Sequence, residues 1–359
     1  MKRAHNFSAG PAALPLEVLE EAQKEFTLYG GSGSSIIELS HRGPEYIEVD
    51  ARARERLSSL LGLGDDFEIM FLQGGASHQF MMVPFNFLDK GKTADYINTG
   101  TWSKKAIKEA KLFGNVHVPF SSEESNFNRV PDNDELRFSA NAEYVHFTSN
   151  NTIFGTQFSK EPETNGVPLV CDASSDFLSR PLNMDKYGII YAGAQKNAGP
   201  AGLTIVIIRK SFLDKGRKEG IPTILNYNTH VGTMFNTPPV FGVYMFNKVL
   251  AWIERMGGLE AMAERNESKA LDLYKEIDAD DFYKGTTQVN SRSLMNVTFR
   301  LANESLEKAF LAEAEKQNLK GLKGHRSVGG IRASIYNACE VESIEALSQF
   351  MKEFRQKHS

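Results

Sequence analysis

Short apolar runs alternate with helix-like stretches from about residue 67 to about residue 255. Several of these runs are continuously apolar, as strands in a sheet covered on both faces must be. The alternation predicts an α/β fold. The predicted strands are residues 67–72, 94–98, 143–147, 167–171, 188–192 and 203–209.

After about residue 260 the pattern changes to amphipathic helices with fewer strands, predicted at residues 293–301 and 330–336. The last helix has one apolar stripe, which predicts a buried face formed by Ile344, Leu347, Met351 and Phe354. This change predicts a smaller α+β C-terminal domain. We expect a large domain of residues 16–260 and a small domain of residues 261–359 that also includes residues 1–15.

Composition narrows the class of protein. The 41 basic and 45 acidic residues are interspersed, so no basic arm or stripe suggests nucleic acid. Cys171 and Cys339 form neither a disulfide framework nor a zinc pattern, which favours a reducing compartment and no metal. The N-terminus lacks a signal peptide's apolar region, and no run approaches the roughly 20 apolar residues that cross a bilayer. We expect a cytoplasmic protein without a nucleic-acid or membrane partner.

Two polar residues stand where neighbouring predicted strands end. Asp172 follows the strand at 167–171, and Lys196 follows the strand at 188–192. Taken alone, Asp172 suits a helix cap or turn and Lys196 suits a solvated surface. Open α/β sheets, however, bind ligands beyond the carboxyl ends of their strands. A carboxylate that keeps a pyridine nitrogen protonated and an amine that forms an imine are what pyridoxal phosphate requires.

Two helix starts add candidate contacts. Gly74-Gly75-Ala76-Ser77 precedes a helix predicted from Gln79, and its backbone N–H groups suit a phosphate, although a simple tight turn explains it equally well. A second helix is predicted over residues 104–113, with Ser103 as its N-cap and Gly114 ending it. Just before that helix, Trp102 can stack on a flat ring or pack in the core.

Several long motifs then identify a family. The chain resembles the phosphoserine aminotransferases, fold-type-I pyridoxal-phosphate enzymes of aminotransferase class V, over essentially its whole length. The resemblance implies a large domain with a mostly parallel, mixed sheet between helices. The motifs are Asn6-Phe7-Ser8-Ala9-Gly10-Pro11-Ala12, Ser40-His41-Arg42-Gly43, Tyr191-Ala192-Gly193-Ala194-Gln195-Lys196-Asn197, Met234-Phe235-Asn236-Thr237-Pro238-Pro239, Lys323-Gly324-His325-Arg326-Ser327-Val328-Gly329-Gly330 and Arg332-Ala333-Ser334-Ile335-Tyr336-Asn337.

The resemblance implies where the cofactor binds. Lys196 would hold pyridoxal phosphate as a Schiff base, Asp172 would contact the pyridine nitrogen and Trp102 would stack on the ring. The remaining contacts would be to the phosphate or the ring hydroxyl, from Ala76, Ser77, Thr152, Gln195, Asn236 and Thr237. Because the last two reach across from a neighbouring subunit in the family, a homodimer with shared active sites is expected. Some members carry Arg and Gly in place of Ser77 and His78, so this chain lacks one guanidinium near the phosphate.

The resemblance also implies the substrates. Arg332 would bind the α-carboxylate, while the distal phosphate would be bound by His41, Arg42, His325 and Arg326. Each of these alone would be read as part of a surface ion pair. The expected reaction transfers the amino group of L-glutamate to 3-phosphohydroxypyruvate and gives O-phospho-L-serine and 2-oxoglutarate, as in serine biosynthesis. The family also admits 4-phosphohydroxythreonine, from pyridoxine biosynthesis, at the same cationic site.

Other classes of protein use some of the same residues. An alanine-glyoxylate aminotransferase or a cysteine desulfurase uses the same Asp and Lys but lacks the doubled His-Arg motifs. A desulfurase also needs a mobile thiol, and Cys171 lies in an apolar strand while Cys339 follows a strand of the small domain. A small-molecule binder without activity is the alternative from another class, because a fold alone does not prove catalysis.

Overall fold

The computed structural model describes residues 3–217 and 219–358. Its helices are α1 (Leu16–Glu25), α2 (Pro44–Leu61), α3 (Gly75–Phe87), α4 (Thr101–Ala110), α5 (Lys210–Leu213), α6 (Val240–Arg255), α7 (Gly258–Ile277), α8 (Glu304–Lys316) and α9 (Val341–His358). Its strands are β1 (His5–Asn6), β2 (Phe67–Leu72), β3 (Thr93–Tyr96), β4 (Asn115–His117), β5 (Ala142–Thr148), β6 (Asn150–Asn151), β7 (Thr156–Gln157), β8 (Leu169–Asp172), β9 (Tyr187–Gly193), β10 (Thr204–Arg209), β11 (Lys284–Gly285), β12 (Asn296–Arg300), β13 (Leu319–Lys320) and β14 (Ile331–Ser334). Among the described helices, none is long and apolar enough to span a bilayer.

A seven-stranded sheet in the order β2-β10-β9-β8-β5-β3-β4 organises the larger part of the molecule. Strand β10 is antiparallel to both of its neighbours, and the other pairings are parallel. Every strand predicted between residues 67 and 209 lies in this sheet, with its ends shifted by at most two residues. The expected mostly parallel, mixed sheet is therefore confirmed.

Helices cover both faces of this sheet. Alternate residues of a strand point to opposite faces, so Cys171 and Ile190 pack in a core with α2 and α6. Val170 and Tyr191 face the other side and pack in a core with α3. Burial on both faces explains why these strands are continuously apolar in the sequence.

A second body has its own core and a three-stranded sheet in the order β11-β12-β14. Its helix α9 buries the predicted stripe, with Ile344, Leu347 and Met351 at 0% exposure. Phe7 from the N-terminal segment belongs to the same core. We propose that this body is the expected small domain of residues 261–359 with 1–15, and that residues 16–260 form the large domain. Residues 1, 2, 218 and 359 of these ranges lie outside the described part of the chain.

Two helices begin earlier than the sequence predicts. Helix α4 starts at Thr101, not residue 104, and Ser103 is not its N-cap but lies in its first turn. Ser103 Oγ accepts hydrogen bonds from the backbone N–H groups of Thr99 and Gly100, both at 3.0 Å. Because this side chain satisfies donors that precede it, the helix can begin before Ser103. The helix ends at Ala110, before the predicted end at residue 113.

The same shift occurs in α3, which starts at Gly75 and not at Gln79. Gly74 has a φ of 91°, a conformation that glycine adopts readily. A Cβ at this position would lie 2.3 Å from His78 Nδ1, so the close packing of the His78 ring also requires glycine. As a result, Ala76 and Ser77 lie within the first helical turn.

Candidate active site

The carboxyl edge of the seven-stranded sheet collects the predicted cofactor residues. Asp172 is the last residue of β8, and Lys196 follows the end of β9 at Gly193. These two strands are parallel neighbours, with Asp172 opposite Tyr191 in the register. Thr152 follows β6 and approaches the same edge. The chain thus places a carboxylate and an amine at neighbouring strand ends.

Lys196 has polar contacts on more than one side. Its Nζ donates a hydrogen bond to Thr152 Oγ1 at 2.6 Å and lies 5.4 Å from the centroid of the Trp102 ring. Burial lowers the pKa of Lys196 to about 8, and the charge of Arg332 acts in the same direction, while Asp172 opposes it. An amine with this pKa is neutral far more often near neutral pH than an exposed lysine. It is therefore suited to act as a nucleophile or a base.

Asp172 is 3% exposed. Its Oδ1 accepts hydrogen bonds from the backbone N–H of Ser174 at 3.0 Å and from Ser174 Oγ at 2.6 Å. Burial raises the pKa of Asp172, whereas the Ser174 hydroxyl and the nearby Lys196 charge hold it down. Among the described residues no donor to Oδ2 is present, so that oxygen is available to a ligand.

Two helix starts face this edge. The backbone N–H of Gly75 donates to Thr204 Oγ1 at 2.8 Å, which ties α3 to the end of β10. The next N–H groups, those of Ala76 and Ser77, belong to a first turn, where helix geometry supplies no acceptor. They can bind an anion with help from the helix dipole. Trp102 lies in the first turn of α4.

Gln195 is held by the N-terminal segment. Its carbonyl accepts a hydrogen bond from the N–H of Ala12 at 2.9 Å. Gly10 lies against the stem of Lys196, because a Cβ there would be 3.3 Å from Lys196 Cγ. The segment that begins the sequence therefore supports the proposed reactive lysine and its neighbour.

Asn236 and Thr237 lie beside the residue that precedes the Gly74 turn. Asn236 Nδ2 donates to Gln73 Oε1 at 3.1 Å, and Gln73 Nε2 donates to the carbonyl of Thr237 at 2.7 Å. Both residues thus approach the start of α3 within one chain. Their expected reach into a neighbouring subunit's site stays a prediction.

Arg332 on β14 connects the second body to the lysine. Its Nη1 donates to the carbonyl of Thr152 at 3.2 Å, so Thr152 contacts both Arg332 and Lys196. Within the described residues, the buried Nε of Arg332 has no hydrogen-bond partner. Burial lowers the pKa of Arg332. A carboxylate ligand would supply the missing acceptor.

Arg326 adds positive charge near Arg332, and His325 lies beside both. Burial lowers the pKa of His325, and the charges of Arg332, Arg326 and Lys105 lower it further. His325 Nδ1 and Ser327 Oγ are 2.7 Å apart and share a hydrogen bond. The cluster is suited to bind an anion, and an anionic ligand would favour protonated His325.

His41 and Arg42 are not brought into this group. They lie before α2, and the backbone N–H of Arg42 donates to Ser40 Oγ at 3.3 Å. Across residues 3–217 and 219–358, neither side chain contacts Lys196, Asp172 or Arg332. Their expected contact with the substrate phosphate stays a prediction.

Three contributing residues were not predicted from the sequence. Ser174 binds Asp172, and its spacing of two residues is a known signal for such a turn. Lys105 Nζ lies 4.4 Å from the centroid of the Trp102 ring, one helical turn after it. Tyr336 is buried and its hydroxyl donates to the carbonyl of Ala9 at 2.8 Å, a contact between distant segments that no local pattern indicates.

The residues present fit pyridoxal phosphate. They provide an amine, a carboxylate with a free oxygen, an aromatic ring and unpaired N–H groups for a phosphate. Trp102 Nε1 is also buried and lacks a hydrogen-bond partner among the described residues. Buried N–H groups are nearly always paired, so a bound polar ligand would explain this one. Within residues 3–217 and 219–358, there is no cluster of His, Cys, Asp and Glu that could hold a metal.

Comparison with known proteins gives the same family. The phosphoserine aminotransferase of Niallia circulans is 54% identical, over 99% of this chain and 98% of that protein. The solved phosphoserine aminotransferase from Bacillus circulans subsp. alkalophilus is 52% identical, with a TM-score of 0.97 over 100% of both chains. A pyridoxal-phosphate-bound phosphoserine aminotransferase from Trichomonas vaginalis is 42% identical, with a TM-score of 0.93 over 98% of this chain and 100% of the other. The model of the aminotransferase class-V family matches residues 4–347, and the chain belongs to that family.

Proposed function

We propose that this chain catalyses the phosphoserine aminotransferase reaction with pyridoxal phosphate. It would transfer the amino group of L-glutamate to 3-phosphohydroxypyruvate, giving O-phospho-L-serine and 2-oxoglutarate. The observation that carries the proposal is the placement of Lys196, with a pKa lowered to about 8, between Thr152 and Trp102 near the buried Asp172. The names of relatives that align along the whole chain support the same reaction.

Each residue near the lysine has a role in holding the cofactor. When bound, pyridoxal phosphate supplies an aldehyde that forms an imine with an amine and a ring that stabilises negative charge. Lys196 would provide that amine, and the free Oδ2 of Asp172 would hold the proton on the ring nitrogen. Trp102 would cover one ring face, and Thr152 would bind the ring hydroxyl. The phosphate would be bound by Ala76, Ser77, Gln195, Asn236 and Thr237.

Lys196 also moves the proton that transamination requires. With the cofactor and substrate bound, its Nζ would take a proton from the substrate α-carbon and later return one. Burial favours the neutral amine for this task, because a charged ammonium is poorly solvated there. Thr152 Oγ1 holds the amine in place beforehand.

Substrate choice follows from fixed positive charge. Arg332 would bind the α-carboxylate, which glutamate and phosphoserine share. The distal phosphate would be bound by His325 and Arg326 together with His41 and Arg42. The distal carboxylate of glutamate can use the same cations. The same chemistry also admits 4-phosphohydroxythreonine as a second product.

We further propose a cytoplasmic homodimer with shared active sites. Exposed apolar side chains flank the motifs that would cross to the other subunit. Ile37 and Ile47 are 52% and 48% exposed on either side of His41 and Arg42, and Phe235, before Asn236, is 46% exposed. A dimer interface would bury these side chains.

The test is formation of 2-oxoglutarate from glutamate with 3-phosphohydroxypyruvate as acceptor. We expect this acceptor to give at least about tenfold higher kcat/KM than glyoxylate, because glyoxylate offers no phosphate to the cationic cluster. Preference for glyoxylate would support an alanine-glyoxylate aminotransferase instead. Release of sulfide from cysteine would support a desulfurase, and inactivity with a fully bound cofactor would support a binder.

A further inference from the structure

A second buried lysine lies outside the site described above. Lys269 in α7 is 1% exposed. Its Nζ donates hydrogen bonds to the carbonyls of Ile335 at 3.0 Å, Tyr336 at 2.8 Å and Cys339 at 3.3 Å. An ammonium has three N–H donors, and here each has an acceptor. A buried charge is costly unless it is hydrogen bonded, and here the three carbonyls offset that cost. Lys269 in turn holds the segment that carries these carbonyls.

The three carbonyls belong to the turn of residues 335–340 between β14 and α9, called here the β14–α9 turn. Asn337 in this turn donates its backbone N–H to Asn197 Oδ1 at 2.8 Å. Asn197 is the residue after Lys196. Asn266, one helical turn before Lys269, donates to Asn337 Oδ1 at 2.8 Å. One face of α7 therefore holds the turn that contacts the reactive-lysine segment.

The same turn also reaches the other side of Lys196. Tyr336 donates its hydroxyl to the carbonyl of Ala9 at 2.8 Å. The following residue, Gly10, packs against the Lys196 stem. On its N-terminal side the turn continues from β14, which carries Arg332. The β14–α9 turn thus connects Arg332 with both flanks of Lys196.

We infer that Lys269 is a positioning residue for the proposed transamination, and that through the β14–α9 turn it fixes Arg332 relative to Lys196. The inference rests on the proposed function. Without the ammonium, three buried carbonyls lose their donor, and the turn can relax toward other partners. Carboxylate binding at Arg332 then weakens more than the chemistry at Lys196.

The test compares Lys269→Met with Lys275→Met in the holoenzyme. Methionine has a similar length but no donor, and Lys275 is an exposed lysine on the same helix. For Lys269→Met we expect KM for glutamate and for 3-phosphohydroxypyruvate to rise together at least fivefold, with a smaller fall in kcat. For Lys275→Met both constants should stay within twofold. A lower kcat with unchanged KM would overturn the inference, because it indicates only a smaller active fraction.

Binding of succinate, an unreactive dicarboxylate, separates this inference from the proposed function. We expect its Kd, measured by calorimetry on the holoenzyme, to rise at least fivefold in Lys269→Met. An unchanged Kd would refute the positioning role, even if the variant melts at a lower temperature. Failure of the proposed function is a different result, namely no 2-oxoglutarate from the native protein.

If Lys269→Met does not fold, Asn266→Ala tests the same face of α7 with a smaller loss of buried hydrogen bonds. This variant removes the hydrogen bonds from Asn266 to Asn337 and to the carbonyl of Ser179, and leaves the ammonium in place. We expect KM for glutamate and the succinate Kd each to rise two- to threefold. If both stay within the error of the native values in a folded variant, the turn does not position Arg332.

Discussion

The two ends of the proposed substrate site differ in how completely one chain builds them. Around Lys196 the side chains are buried, hydrogen bonded and shifted in pKa. At the phosphate end, Arg326 and Arg42 are exposed, and His41 and Arg42 do not contact the lysine group within the described residues. The difference indicates that the chemical end is preorganised in the single chain. It also supports our proposal that the phosphate end is completed by a second subunit.

The largest expected effect is at the preorganised end. Lys196→Ala removes both the amine and the base, so kcat should fall by at least about 10⁴-fold. The visible absorbance of the bound cofactor should also be lost. Lys111→Ala, an exposed lysine after α4, is the control and should retain native kinetics. An unchanged visible band in Lys196→Ala would exclude this lysine as the imine partner.

Mixing subunits of two variants tests the phosphate end of the proposed site. Arg42→Ala should raise KM for 3-phosphohydroxypyruvate by about 10- to 100-fold, because a phosphate loses a charged partner. If sites are shared, dissociating and reassociating equal amounts of Arg42→Ala and Lys196→Ala should restore about a quarter of native activity, since each hybrid dimer has one intact site. No recovery in verified hybrids would mean that Arg42 acts within its own chain.

The pKa of Lys196 gives a pH dependence for cofactor binding. Only the neutral amine reacts with the aldehyde, and burial lowers its pKa to about 8. The rate constant for recombination of apoprotein with pyridoxal phosphate should therefore rise with pH and level off just above 8. Stopped-flow absorbance measures it. A rise that continues to about pH 10.5, the value of an ordinary lysine, would contradict the buried amine.

The same shift affects the apoprotein's stability. Because the folded-state pKa lies below that of the unfolded chain, the unfolded state binds more protons between them. The contribution of Lys196 to the free energy of unfolding should therefore increase from pH 8 to pH 10. In urea titrations this increase should be smaller for Lys196→Met. An equal pH dependence in the two proteins would refute the shift.

The smallest effect is expected at Ser174. Ser174→Ala removes the 2.6 Å hydrogen bond to Asp172 and the acceptor of the Gly193 N–H, but keeps the backbone N–H contact to Asp172. Losing a bond to a charged group costs roughly 1.5–3 kcal/mol. Because the backbone N–H still binds Asp172, we expect the lower end of this range, and kcat should fall by about tenfold. Ser211→Ala, an exposed serine of α5, is a matched control. A native kcat in Ser174→Ala would show that the backbone contact alone holds Asp172.

The sequence indicated the residues around Lys196, but not the residues that hold them in place. Asp172 and Lys196 lie at the ends of two strands that the apolar pattern predicts, and these strands are parallel neighbours in the sheet. Ser103 was misplaced as a cap because its hydroxyl serves two N–H groups that precede it. Tyr336 and Lys269 bind carbonyls of other elements, and no periodicity records such contacts.

Thr152 has a consequence for inhibitor design. Its hydroxyl holds the amine of Lys196 while its carbonyl holds the guanidinium of Arg332. A carboxylic acid that binds the unpaired Nε of Arg332 can leave the bond from Nη1 to that carbonyl intact. A larger inhibitor that also displaces Nη1 would remove one of the two contacts that hold Thr152 beside the amine, so we expect the two kinds of compound to differ in their effect on the reactivity of Lys196.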